Sequence, residues 1–394
     1  MKWSSAVSDN KSLEHAIEEC ATKIQNEMGE QEPHLLIAFV SSEHQDKYDN
    51  LPKVLRQHLK LDTFIGCSSG GVIGDSKEIE YHASLAMTAA HLPNVEITPF
   101  KILTDNLPDG DAPPEEWRTL IGLSSDATPQ FILLADPFSI GSEHLLMGLD
   151  YAFPESVKVG GIASGGDQPG SNALYLGNNV YHSGIIGLAL TGDIKVDTIV
   201  AQGCRPIGHP MHVTNCNRNT LLELDSQTPL EALREIFAYL SQRDQNLVHH
   251  SLFLGVVMDE LQDTPQLGDF LIRNIIGVDA QRGSLKIGEV LKEGQTVQFH
   301  LRDADTSTQD LNAMLDKYAT NHSIHQESGA LLFSCLGRGS QLYGYHGHDT
   351  AMFREKLGNM PLTGFFCNGE IGRVKETTFL HGYTSSFGIF SPRG

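Results

Sequence analysis

The sequence predicts a mixed α/β (α+β) fold built from repeated strand–glycine turn–strand units with helices between them, in two similar halves. Three observations predict it. Apolar runs of strand length, at 35–40, 131–135, 330–335 and 362–367, each lead into a glycine-rich turn. Helical stretches with one apolar face alternate with these runs. The order strand, helix, glycine turn, strand also recurs about 95 residues further on, the signature of an internal repeat.

Ser12 opens the first helix, Leu13, Ile17, Cys20, Ile24 and Met28 share its apolar face, and Gly29 closes it. Residues 35–40 then read as a buried strand and 51–59 as a helix. The turn of the first copy is Gly66-Cys67-Ser68-Ser69-Gly70-Gly71-Val72-Ile73-Gly74, followed by an extended stretch at 84–89. In the second copy, 131–135 is strand, 142–149 helix, Gly160 to Gly166 the turn and 184–190 the closing strand. Residues 106–114, rich in Pro, Asp and Gly, are the clearest loop. A weaker third copy starts from the capping box Thr228-Pro229-Leu230-Glu231, with 252–258 as strand and Ile275-Ile276-Gly277-Val278-Asp279 at the turn position. Residues 295–303 alternate as a half-buried strand, and Leu311, Met314, Leu315 and Tyr318 mark a helix over 307–318.

The fourth copy is the most complete. Its first strand stops at Leu336-Gly337-Arg338-Gly339, and Asp349 and Gly358 read as N-cap and C′ of a short helix. Its second strand, 362–367, stops at Asn368-Gly369-Glu370-Ile371-Gly372, and an extended run from 381 to 390 ends it. The halves are expected to meet near 221–229. That divides the chain into a lead-in with the first helix at 1–34, one domain at 35–222 and another at 223–394.

With 49 acidic against 28 basic residues the net charge is −21. Binding nucleic acid needs clustered Lys and Arg to neutralise phosphates, so no nucleic-acid partner is expected. The 6 cysteines show no CxxC pair or dense framework, which reads as reduced thiols. No secretory leader is visible, and the apolar runs fall far short of the roughly 20 residues that span a bilayer. The expectation is a cytoplasmic protein with no membrane insertion. There is no P-loop and no dinucleotide fingerprint, so no cofactor is expected.

Several groups are candidates for chemistry. Ser68 sits in a G-x-S-x-G pattern, although glycine-broken sequence rather than a helix follows it. Cys335 and Cys367 end strands beside glycine turns, where a thiolate nucleophile would find backbone N–H groups and would need a histidine base from His346, His348 or His381. Cys204, His209, His212 and Cys216 form a Cys-x4-His-x2-His-x3-Cys set that zinc would use only if the segment folded back on itself. Arg338 and Gly339, ahead of a helix, suit an anion; Glu370, between Gly369 and Gly372, suits an ammonium group. An internal ion pair is the competing reading for Arg338. Together the two charges suit an amino acid, in a pocket lined by Arg338, Gly339, Asn368, Gly369 and Glu370 with Ser68, Ser69, Gly70, Ser164 and Gly165 from the other turns.

Four phrases carry a family resemblance. Gly66 to Gly74, Gln202-Gly-Cys-Arg-Pro-Ile-Gly208, Leu332-Phe-Ser-Cys-Leu-Gly-Arg-Gly339 and Gly364-Phe-Phe-Cys-Asn-Gly-Glu-Ile-Gly372 resemble the FIST sensory domain, FIST_N over the first domain and FIST_C over the second. The resemblance implies an intracellular small-ligand sensor, with amino acids as suggested ligands, found in bacterial signalling proteins and F-box proteins. Too few residues precede Leu35 for an F-box and no kinase or cyclase segment follows Phe390, so the expected output is through a signalling protein partner. The family supplies no catalytic set to carry over. An enzyme using Cys367, Cys335 or Ser68 is the second reading, and a protein-recruiting scaffold the third.

Overall fold

The computed structural model describes residues 1–60, 62–125, 127–139, 141–262 and 264–393. They fall into two compact units. The first comprises Met1–Val200, Ala313–Leu380 and the segment from Thr384 onward; the second comprises Ala201–Asn312 and His381–Tyr383.

The first unit is three six-stranded sheets of the same design. In each, a parallel pair lies at the centre: Leu35–Ser41 with Thr63–Ser69, Gln130–Ala135 with Lys158–Ile162, and Gly329–Cys335 with Leu362–Cys367. Each first strand also pairs antiparallel with the strand closing its own repeat, Leu85–His91, Ile185–Gly192 or Ser385–Ser391. An edge strand borders that closing strand: Lys2–Ser8, Val95–Ile102 or Lys195–Ala201. The other side is filled by a hairpin from a different repeat. Leu174–Leu176 and Asn179–Tyr181 complete the first sheet, Glu370–Val374 and Thr377–His381 the second, and Gly71–Gly74 and Lys77–Glu80 the third. Every repeat thus lends its hairpin to a neighbour, and the exchange closes in a ring.

Burial on both faces explains why the central strands read as continuous apolar runs. One core joins the inner faces: Phe39 stacks on Phe365 at 4.6 Å, Phe333 meets Phe365 edge-on at 5.9 Å, and Ile65, Ile132, Leu134 and Val159 pack around them. Outside the first sheet, Leu13, Ile17, Cys20 and Ile24 of helix Leu13–Met28 cover its outer face, as the helical period requires. The Ser12 side chain accepts the His15 N–H, giving the expected cap.

The second unit is a closed six-stranded barrel. Its strands run in the order Cys204–Asn217, Thr220–Leu224, Ser284–Ile287, Phe270–Asp279, Leu252–Val257 and Thr296–Arg302. The capping box at Thr228 and Glu231 forms as expected and starts helix Pro229–Tyr239, whose Ala232 and Ile236 pack into the barrel core.

The mixed α/β class and the repeated unit hold, with corrections. The repeat occurs three times within one unit, rather than four times over two similar halves. The stretch read as a third copy belongs to the barrel, where Gly277 sits at a bulge inside a strand and makes no turn. Lys2–Ser8, expected as lead-in, is a sheet edge. The run from 381 to 390 is broken, with one strand ending at His381 and the next starting at Ser385. Among the described residues no helix is long and apolar enough to cross a membrane.

Candidate functional site

The parallel pairs end in glycine turns that meet in the first unit. The Gly70 N–H donates to Ser164 Oγ at 2.9 Å, the Ser164 N–H to the Ser68 carbonyl at 3.3 Å, and Ser164 Oγ to the Phe366 carbonyl. Asn368 reaches the same place, its Nδ2 donating to the Ala163 carbonyl at 2.9 Å and its N–H to that of Ile162 at 3.0 Å. Gly165 has φ +91°, and a Cβ there would lie 2.7 Å from the Ser69 carbonyl, so the corner requires glycine. Ser68, Ser69, Gly70, Ser164, Gly165, Asn368 and Gly369 lie together at this corner. Their polar groups bond largely to one another.

Arg338 is fully buried. Its Nε donates to Asp349 Oδ2 at 2.9 Å, and its Nη2 donates to Asp349 Oδ1 at 3.2 Å and to the Tyr343 hydroxyl at 2.6 Å. Asp349 also accepts from Ser385 Oγ and bonds His348 Nδ1 at 2.9 Å. Burial raises the Asp349 carboxyl, but Arg338 beside it and the hydrogen bonds outweigh that and hold it well below the usual carboxylate range. Asp349 is not the N-cap expected: Gly347 occupies that position, and Asp349 stands inside helix His348–Leu357. The internal ion pair is the reading that holds for Arg338, because a buried guanidinium is too costly to leave without a carboxylate.

The anion expected at the Gly337-Arg338-Gly339 turn is supplied from within the chain. Glu80 accepts the Ser340 N–H at 3.0 Å and bonds His346 Nδ1 at 2.8 Å. Gly339, at φ +65°, makes room for it, since a Cβ would lie 2.6 Å from Glu80 Oε1. Glu78, two residues earlier and so on the same face of the strand, accepts N–H groups from Gly347 at 3.2 Å and Thr350 at 2.9 Å. Burial, and then the Asp349 charge, push the Glu78 carboxyl up. Neither glutamate stood out in the sequence. The signal was there in Lys77-Glu78-Ile79-Glu80, where acids at a spacing of two in a short strand mark one face.

Glu370 is also fully buried, accepting from the Thr384 N–H at 3.0 Å and Oγ1 at 2.7 Å. Burial pushes it up to about 7 against the pull of those hydrogen bonds, so it is no open counter-ion for an ammonium group. A folded value above the ordinary 4.5 means that the folded state favours the protonated form. That stability is complete below the unfolded value and lost as pH rises through the folded one. The expected result is that the first unit's urea midpoint falls between about pH 5 and about pH 8, and that Glu370→Gln reduces this slope. An unchanged slope in the variant would refute the assignment.

Ser68 Oγ is buried, donates to Asn172 Oδ1 at 3.3 Å and accepts the Ala173 N–H at 3.0 Å, and a strand rather than a helix follows its turn. Cys367 is buried, with burial and then the Glu370 charge raising its thiol well above the ordinary value. Cys335 is half-buried, and two of the histidines expected beside these thiols bond to carboxylates instead, His346 to Glu80 and His348 to Asp349. The zinc reading of Cys204, His209, His212 and Cys216 fails on geometry. All four lie along the single strand Cys204–Asn217, where a rise of about 3.3 Å per residue keeps the two cysteines far apart.

A cavity of about 300 Å³ adjoins the Glu78 face, lined by Val7, Asp9, Ser76, Lys77, Glu78, Ile79, His346 and Gly347. In the second unit a cleft of about 500 Å³ is lined by Arg205, Arg243, Asp244, Asp303 and Asp305, whose charges pair with each other.

Fold and site together define the class, a mixed α/β protein with one unit that is built of three sheets exchanging hairpins and carries a small polar pocket, and one unit that is a closed barrel. The chain belongs to the FIST family: the FIST N domain matches residues 34–227 and the FIST C domain residues 229–373. FIST domains are regarded as small-ligand sensory domains in signal transduction. An uncharacterized protein of Mycobacterium tuberculosis is 34% identical over 392 residues, covering 99% of this chain and 100% of that one. Another, from Mycobacterium bovis, is 33% identical over 374 residues and covers 94% of each chain. An F-box/LRR-repeat protein of Arabidopsis thaliana is 25% identical over 307 residues, 67% of this chain and 58% of the plant protein.

Proposed function

We propose that this chain is a cytoplasmic sensor of a small carboxylate, an amino acid above all, which enters the pocket beside Glu78 and signals through a protein partner. The observation that carries this reading is the pocket's mixed lining. Lys77 offers a cation for a carboxylate, Asp9 offers an acceptor for an ammonium group, and the volume of about 300 Å³ suits a small molecule. The pocket moves from the place expected around Arg338 and Glu370 because those side chains are buried on internal partners.

A relay follows from connectivity. The Gly71–Gly74 and Lys77–Glu80 hairpin starts at the turn junction and ends at the pocket, where Glu78 and Glu80 hold the N-terminal ends of two helices. A ligand that prefers one position of Glu78 shifts the hairpin by its differential affinity for the two positions.

The test is a thermal-shift and calorimetric screen against amino acids, other carboxylates and nucleotides, repeated on Lys77→Ala and Glu78→Gln. At 100 times its dissociation constant a ligand stabilises the fold by about 2.7 kcal/mol. A carboxylate-specific shift, lost in Lys77→Ala, is the expected result. No shift with any carboxylate, or a shift that both variants retain, would overturn the reading.

A further inference from the structure

Two thiols lie side by side where the third parallel pair ends. Cys335 and Cys367 are register partners at the last positions of Gly329–Cys335 and Leu362–Cys367. Register partners project to the same face, and neighbouring strands run about 4.8 Å apart. That spacing falls within the roughly 4.4–6.8 Å between Cα atoms that a disulfide spans. No other two cysteines are register partners among the described strands.

The two thiols differ in access and in neighbours. Cys335 is half-buried, its Sγ accepts the Gly337 N–H at 3.4 Å, and it interacts with the Arg338 charge. Cys367 is buried, and its Sγ lies 3.3 Å from both Glu370 Oε1 and the Ser334 carbonyl. Glu370 is thus placed to take its proton.

We propose that Cys335 and Cys367 form a peroxide-reactive dithiol, in which Cys335 attacks a hydroperoxide and Cys367 closes a disulfide onto it. In the first step the Cys335 sulfur bonds to one peroxide oxygen and the O–O bond breaks. Cys335 becomes a sulfenic acid, and the other oxygen takes up the thiol proton and leaves as water, or as an alcohol from an organic hydroperoxide. In the second step the Cys367 sulfur displaces hydroxide from the sulfenic sulfur. The S–S bond forms, the S–O bond breaks, and the Cys367 proton passes through Glu370 to the departing hydroxide, which leaves as water. The pair loses two electrons and the peroxide gains them. Closure draws Cys367 away from Glu370, beside the Asn368 that holds Ala163, so the turn junction registers the oxidation.

The experiment treats the full chain with a small excess of hydrogen peroxide, alkylates the remaining thiols and maps peptides without reduction. The expected product is an intramolecular Cys335–Cys367 link that dithiothreitol reverses. Cys367→Ser should stop at a sulfenic acid on Cys335, captured by dimedone. Glu370→Gln should slow closure and flatten its pH dependence while the first step keeps its rate. Over-oxidation of Cys335 without the link in the native chain, prior loss of other thiols, or no loss of either thiol would overturn the proposal. Unchanged closure in Glu370→Gln would remove Glu370 from it.

Discussion

Gly66→Ala, Gly160→Ala and Gly364→Ala will each destabilise the three-sheet unit by about 3 kcal/mol or more, the upper end of overpacking costs. The three glycines are equivalent, each in the second strand of a parallel pair, opposite the fourth residue of the first strand: Ala38, Leu133 and Leu332. A Cβ would lie 2.1 Å from the Ala38 carbonyl oxygen, 1.9 Å from that of Leu133 and 1.8 Å from that of Leu332. Backbone in a buried central strand cannot move aside as a flexible side chain would. Gly110→Ala is the control, because nothing lies within 4 Å of a Cβ built there. Urea denaturation should show the three variants unfolding early or failing to accumulate as folded protein, with the control near the native midpoint. Three variants as stable as the control would refute the close packing described for these pairs.

Asp349→Asn or Arg338→Met should cost the same unit about 3–5 kcal/mol, because each leaves one buried charge without its partner. With Arg338 gone, Asp349 faces Glu78 with no cation between them in a desolvated site. The double variant Arg338→Met, Asp349→Leu removes both charges, and it should recover much of what either single change loses. Denaturant midpoints of the four proteins form the cycle. If the double variant merely adds the two losses, the pair is not the coupled element proposed.

Sequence reasoning found the glycine turns and the two strands of the Arg338 region, yet it mistook who partners whom. Ser12, Thr228 and Gly358 were legible as caps because a cap needs only residues a few positions apart. Asp349 misled for the same reason: an aspartate before an apolar stretch reads as an N-cap unless an arginine brought close by the fold claims it. The barrel strand Cys204–Asn217 escaped notice because its bulge and exposed residues interrupt the alternation that marks a strand.

By itself the sequence determined the local pieces and the family: the apolar central strands, the amphipathic helices and the acidic composition. The stretch read as a turn at 66–74 is largely strand, over Thr63–Ser69 and Gly71–Gly74, and that at 160–166 begins as strand, within Lys158–Ile162. Hydrophobic period and turn chemistry are properties of neighbouring residues, so they are written in the order of the chain. Only the tertiary structure decided that there are three repeats with exchanged hairpins, and that Glu80 rather than a ligand fills the turn at Gly339. Those pairings join residues 260 positions apart, as between Ser340 and Glu80, and no local pattern encodes a partner at that distance.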